Sequence, residues 1–204
     1  MSALRPEQLL RTGLLQGVSI LLAGSAPAGE ILLATAEGCE RLGARLARCE
    51  LERGEDPEPA ALAALGTLGE LDLLALDAGS IFAREQDAGH DAIGACLQAT
   101  WELTRAVANA AFLERERAGR VVFIAPPLER TARAALENLA RTLSIEWSRH
   151  PVTTVTIAPG ANTSAQVLAA LVAYLASPAG AYFSGCLLDL SGNASASRAS
   201  ERAR

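Results

Sequence analysis

Apolar and polar positions along this chain follow two rhythms. Short apolar runs closed by Gly or Pro read as buried strands: VSILLAG (18–24), LDLLALDAG (71–79), GRVVFIAPP (119–127), PVTTVTIAPG (151–160) and GCLLDLSG (185–192). ARLARCEL (44–51) is a weaker strand candidate, because Arg45 and Arg48 interrupt it. Between these runs the apolar residues recur at helical spacing. EILLATAEGCERL (30–42) is stopped by Gly43, and DPEPAALAALGTLG carries Pro near its start. Residues 88–116 form a long helical segment with Trp101, Leu103 and Ala106 among its apolar positions, and residues 128–148 and 164–178 are two more helices.

Apolar strands alternating with helices predict a parallel sheet covered on both faces. With right-handed crossovers this is a doubly wound, Rossmann-type α/β/α sandwich of three layers. At 204 residues the chain holds one domain, assigned to residues 1–192, followed by a low-complexity polar tail, 193–204, expected to fray. Between Leu51 and Leu71 there is too little chain for the strand-helix-strand-helix that this fold usually places there. The domain is therefore expected to be trimmed by one strand-helix unit.

Half the residues are apolar and only 4% aromatic, so the core must be built from Ala, Leu and Val. The net charge of −5 and the lack of a basic block outside the tail argue against nucleic acid as a partner. No apolar run is long enough to span a bilayer, and MSALRPEQLLRTG lacks the apolar segment of a signal peptide, so the expected location is the cytoplasm. Cys39, Cys49, Cys96 and Cys186 are scattered without a C-x-x-C, which reads as reduced, buried thiols. His90 and His150 stand alone without ligand spacing, and no metal site is expected. All 18 basic residues are Arg; a chain without lysine can run no mechanism that needs an ammonium group.

Five segments in order resemble the short-chain dehydrogenase/reductase family, and its β-ketoacyl carrier-protein reductases in particular, from Gly17 to Gly192. GELDLLALDAG resembles the family's G-x-L-D-x-L-V-N-N-A-G strand, and LTRAVANAAF resembles the helix that follows. AGRVVFIA resembles its G-R-I-V-N-I-S-S strand, TTVTIAPGANT its segment around P-G, and LVAYLASPAGAYFSGCLLDLSGN its closing helix and strand. The resemblance implies NAD(P)-dependent carbonyl or alcohol redox. A Tyr exchanges the proton, a Lys four residues on tunes it, a Ser polarises the carbonyl and an Asn holds a relay water.

At the positions matched to this set the chain departs from it. Glu129 stands at the Tyr place and Arg133 at the Lys place, because RAALENLARTLSIEW continues like the family's catalytic helix. Ala125 or Pro126 stands at the Ser place and Cys96 at the Asn place. The cofactor loop T-G-x-x-x-G-x-G is represented by AGSAPAGE. Gly24 keeps the first glycine, Ala28 and Glu30 take the next two, and Gly29 lies one place out of register. Glu30 would repel a pyrophosphate, yet it suits the positive end of a helix dipole. Leu76 and Asp77 replace the two asparagines before Gly79. Glu50 stands where an acid would bind an adenosine ribose, and residues 44–51 match either the second or the third family strand. After Pro159-Gly160 no lid is expected, since Thr163 runs almost directly into the next helix.

The expectation is a degenerate family member with no catalytic residues of its own and no cofactor, with weak NAD(P) binding at Gly24, Gly29, Glu50 and Gly79 left open. It would assemble with itself or with an active short-chain dehydrogenase through the helices near 92–116 and 128–148 and the 164–192 segment. Two alternatives stand beside it: an NAD(P)-dependent oxidoreductase with Glu129 as acid/base, and a small-molecule-binding regulatory module. Glu129 and Arg133, one turn apart, are expected to form an i,i+4 ion pair.

Overall fold

The computed structural model describes residues 10–89 and 91–191, so His90 and the polar tail lie outside the described residues. Six parallel strands run β1 (Ser19–Ser25), β2 (Arg45–Leu51), β3 (Leu73–Asp77), β4 (Gly119–Ile124), β5 (Val152–Ala158) and β6 (Cys186–Asp189). The helices are α1 (Glu30–Arg41), α2 (Pro57–Leu68), α3 (Ala78–Asp87), α4 (Ala92–Ala108), α5 (Arg130–Glu146) and α6 (Ala165–Ala176). Among the described residues no helix is long and apolar enough to cross a membrane.

The strand order is β2-β1-β3-β4-β5-β6. The doubly wound dinucleotide-binding order is 3-2-1-4-5-6, so among the described residues the outer strand on the β2 side, with its helix, is absent. The trimming read from the short span between Leu51 and Leu71 is thus real. Because β2 lies directly against β1, with Gly24 opposite Glu50, residues 44–51 take the place of the family's second strand. The chain reverses direction across the sheet between β1 and β3, where Ile20 faces Leu73 and Ala23 faces Leu76.

Each strand alternates its side chains between two cores. Leu21, Ala23, Leu74, Leu76, Val121 and Phe123 point toward α2, α4 and α5. Ile20, Leu22, Leu73, Ala75, Val122 and Ile124 point toward α1 and α6, which pack side by side. Burial on both faces explains why the central strands are apolar throughout. In α5 the buried residues Ala132, Leu136, Ala140 and Leu143 form one stripe, and the hydroxyls of Thr154 and Thr156 on β5 donate to the Ala140 and Leu136 carbonyls at 2.6 and 3.1 Å. Buried threonines in a central strand are tolerated because each hydroxyl finds a partner.

Several boundaries differ from the sequence reading. The apolar run 71–79 stops as a strand at Asp77, because Asp77 caps α3 by accepting the Ser80 N–H at 3.1 Å. The long segment 88–116 divides: α4 starts after the Asp91 cap and passes at Asn109 into a π-helical turn ending at Leu113, which seats Phe112 in the core. The run 119–127 leaves the sheet at Ile124, ahead of its two prolines. Residues 159–164 alone connect β5 to α6, tightened by the Gly160 N–H donating to Thr163 Oγ1 at 2.8 Å, so no lid lies between them.

Candidate functional site

In an open parallel α/β sheet, ligands bind outside the carboxyl ends of the strands, where the winding direction switches. Here that point lies above β1 and β3, bordered by the loop 26–29, the end of β2 and the start of α3.

The backbone donors of Ser25, Ala26 and Ala28 are engaged within the protein. The Ser25 N–H donates to Ser80 Oγ at 3.0 Å, the Ala26 N–H to the Leu51 carbonyl at 2.9 Å and the Ala28 N–H to Glu50 Oε2 at 3.0 Å; Pro27 has no N–H to offer. Gly29 caps α1 without a side-chain bond, and Glu30 is the exposed first residue of that helix, suited to its dipole. Glu50 therefore reaches back into the loop, while its other oxygen lies 3.8 Å from Arg48. The Leu51 carbonyl also accepts the Arg84 guanidinium at 2.5 Å, which ties the end of β2 to α3.

Around Gly24 the space is filled. A Cβ there would lie 2.7 Å from Leu32 Cδ1 and 2.9 Å from Ser80 Oγ. At Gly79 a Cβ would lie 3.2 Å from the Pro126 Cα and 3.4 Å from the Ala125 carbonyl oxygen, so the end of β4 sits on the first turn of α3. Ala125 and Pro126 are buried. The Cys96 thiol, fully buried, donates to the Ala78 carbonyl at 3.2 Å, and burial pushes it up to about 11. Asp77, at the end of β3, is 2% exposed; burial pushes it up to about 6 against the opposing hydrogen bonds from Ser80 and Gly79.

A pyrophosphate needs free N–H donors and a close approach to glycine. The loop residues as they stand do not fit it. Three loop amides are already bonded, Gly24 is covered, and two carboxylates, Glu30 and Glu50, flank the start of α1.

Glu129 and Arg133 lie to one side of this crevice. Glu129 is the N-cap of α5, its carboxylate accepting the Thr131 N–H at 3.0 Å. Arg133 does not pair with it; its guanidinium meets Asp189 at the end of β6, 2.5 Å away. A residue at the cap points its side chain at the first-turn amides, which takes the carboxylate away from the position four residues on. Both line a cleft of about 600 Å³ with Leu128, Arg130, Glu137, Pro159 and Ser191. A second cleft of about 650 Å³ lies between the end of β2 and helices α3 and α4, bordered by Arg53, Glu55, Glu85, Gln98 and Arg105. Among the described residues no group of His, Cys, Asp and Glu is placed to hold a metal, and all four cysteines are free.

Ser80 and Leu51 were not legible as site residues. Ser80 stands three residues after Asp77, a capping spacing, and that was the available signal. Nothing in the sequence pointed to the Leu51 carbonyl, because a backbone acceptor has no residue type.

No family model matches the sequence, and no curated protein matches it significantly. Solved structures match it in fold. A short-chain dehydrogenase from Mycobacterium smegmatis superposes with a TM-score of 0.71 at 19% identity, covering 87% of this chain and 93% of its own. A citronellol catabolism dehydrogenase from Pseudomonas aeruginosa PAO1 gives 0.69 at 20% identity, over 89% and 96%. A hydroxysteroid dehydrogenase from Escherichia coli gives 0.67 at 21% identity, over 88% and 98%. The fold is that of the short-chain dehydrogenases.

Proposed function

We propose that this chain is a non-catalytic subunit with a short-chain dehydrogenase fold, binding no dinucleotide and assembling with itself or with an active short-chain dehydrogenase whose structure it supports. The observation that carries this reading is the filled crevice. Leu32 and Ser80 occupy the approach to Gly24, Ala125 and Pro126 cover Gly79, and the Cys96 thiol is turned into a backbone carbonyl. The positions that the resemblance assigns to proton transfer carry Glu129 and Arg133, one a helix cap and the other an ion-pair partner of Asp189. Neither supplies a phenol tuned by an ammonium.

The surfaces expected to assemble carry apolar side chains in water: Trp101 on α4, Ile145 on α5 (71% exposed), Val167 and Tyr174 on α6, and Tyr182 just beyond it (90% exposed). Large apolar residues left exposed on several elements support an association role. The test is capture of the tagged full chain from its native organism. A stoichiometric partner carrying an intact Tyr-x-x-x-Lys, or a stable homo-oligomer, is expected; a lone monomer in native extract overturns the reading.

A second reading, an NAD(P)-dependent oxidoreductase with altered machinery, is favoured by the dehydrogenases among the fold neighbours and by Glu129 lining an open cleft. Titration with NADH or NADPH by calorimetry separates the two: saturable micromolar binding supports the oxidoreductase and overturns the non-catalytic subunit. The same clefts keep a small-molecule regulatory module as a third reading, tested by thermal stabilisation across a metabolite panel.

A further inference from the structure

We infer that the Glu50 carboxylate and the Ser80 hydroxyl take, within this chain, the place of the phosphate acceptors for which a loop of this kind is built, and that Glu50 is the positioning residue holding the β1–α1 loop in its closed form. The inference builds on the nucleotide-free reading above and adds what occupies the loop in the nucleotide's stead.

Of the residues from Ser25 to Ala28, each that has an N–H meets a named acceptor: Ser80 Oγ for Ser25, the Leu51 carbonyl for Ala26, Glu50 Oε2 for Ala28. These three acceptors come from two elements, Ser80 from α3 and Glu50 and Leu51 from successive positions at the end of β2. The Glu50 acceptor is charged, and a charge-assisted bond to a backbone N–H is about twice as strong as a neutral one. It also stands just ahead of the α1 N-terminus, where the helix dipole favours an anion. β2 pairs with β1 in the register that sets Glu50 opposite Gly24. The Ser80 hydroxyl is fixed in turn, since it donates to the Asp77 carbonyl at 2.8 Å and so presents its lone pair to Ser25.

Amide hydrogen exchange and amide chemical shifts on the isotope-labelled full chain test this directly. In Glu50→Ala, exchange at Ala28 should rise at least tenfold while exchange at core amides such as Leu21 and Val122 is unchanged. Ser80→Ala should do the same at Ser25 and leave Ala28 alone. Millimolar ADP or NADH should leave the amide shifts of residues 24–30 of the unaltered protein where they were. Should Glu50→Ala not fold, Glu50→Gln, which keeps shape and removes charge, should still accelerate Ala28 exchange several-fold. Unchanged Ala28 exchange in a folded Glu50 variant overturns the inference, and so does saturable movement of the 24–30 amides by ADP. Failure to capture a partner in the association test leaves these readouts untouched, and unchanged Ala28 exchange leaves the nucleotide-free reading standing, whereas saturable ADP binding overturns both.

Discussion

The Arg133 guanidinium is held by the Asp189 carboxylate at 2.5 Å, joining the first turn of α5 to the last residue of β6 across 56 positions of sequence. Asp189 takes two further hydrogen bonds from Ser191, its N–H at 2.8 Å and its hydroxyl at 2.6 Å. With the Ser191 hydroxyl as the largest influence and Arg133 adding to it, the carboxyl is held down at about 2.

Both members of that pair are partly solvated, so the coupling is small. A double-mutant cycle with Arg133→Ala and Asp189→Asn should give about 0.5 kcal/mol, shrinking further in high salt. The pKa is depressed, so the stabilisation is present above the ordinary carboxylate range and is lost as pH falls through about 2. Glu129→Ala should instead remove a cap, costing about 1 kcal/mol with no dependence on Arg133. Denaturant unfolding of the single and double variants checks both; strong coupling between Glu129 and Arg133 would restore the local pair that their spacing suggested.

Asp77 predicts the opposite pH behaviour. Its carboxyl is raised by burial from 3.8 to about 6, so the folded state binds its proton more tightly than the unfolded state. The Asp77 contribution to stability is therefore greatest below about pH 4 and declines as pH rises through about 6, by an amount on the order of 2–3 kcal/mol at neutrality. Asn can accept the Ser80 N–H equally well and carries no charge to bury. Asp77→Asn should thus flatten that slope and raise the melting temperature at pH 7.5 by roughly 5 °C. An identical pH dependence in the two proteins would rule Asp77 out as the source.

Arg120 closes the other end of the sheet. From the start of β4 its Nη1 reaches the carbonyls of Leu175, Ala176 and Ser177 at 3.1, 2.6 and 2.8 Å, capping the carboxyl end of α6 with a cation. The side chain is half-buried, and truncation leaves those carbonyls short of a donor. Arg120→Met should cost about 1.5–3 kcal/mol, measured as a drop in melting temperature of roughly 5 °C. Arg120→Lys should recover part of it, because an ammonium keeps the positive charge and its donors but sits on a stem of different shape, without the planar guanidinium.

The architecture was legible in the chain because both rhythms that encode it are local. Alternating apolar strands and helices with Gly and Pro at their ends specify a parallel, doubly covered sheet, and the short span between Leu51 and Leu71 specifies its trimming. Residue types alone also determined that no lysine chemistry operates here and that the 25–29 loop departs from a phosphate cradle. What the tertiary structure decided was pairing. That Glu50 answers the Ala28 amide, that Ser80 answers Ser25, and that Arg133 turns from Glu129 to Asp189 depend on strand order and register, which bring residues tens of positions apart within 3 Å. A sequence states which donors and acceptors a chain owns; only the packed sheet sets which of them lie close enough, and aligned well enough, to bond.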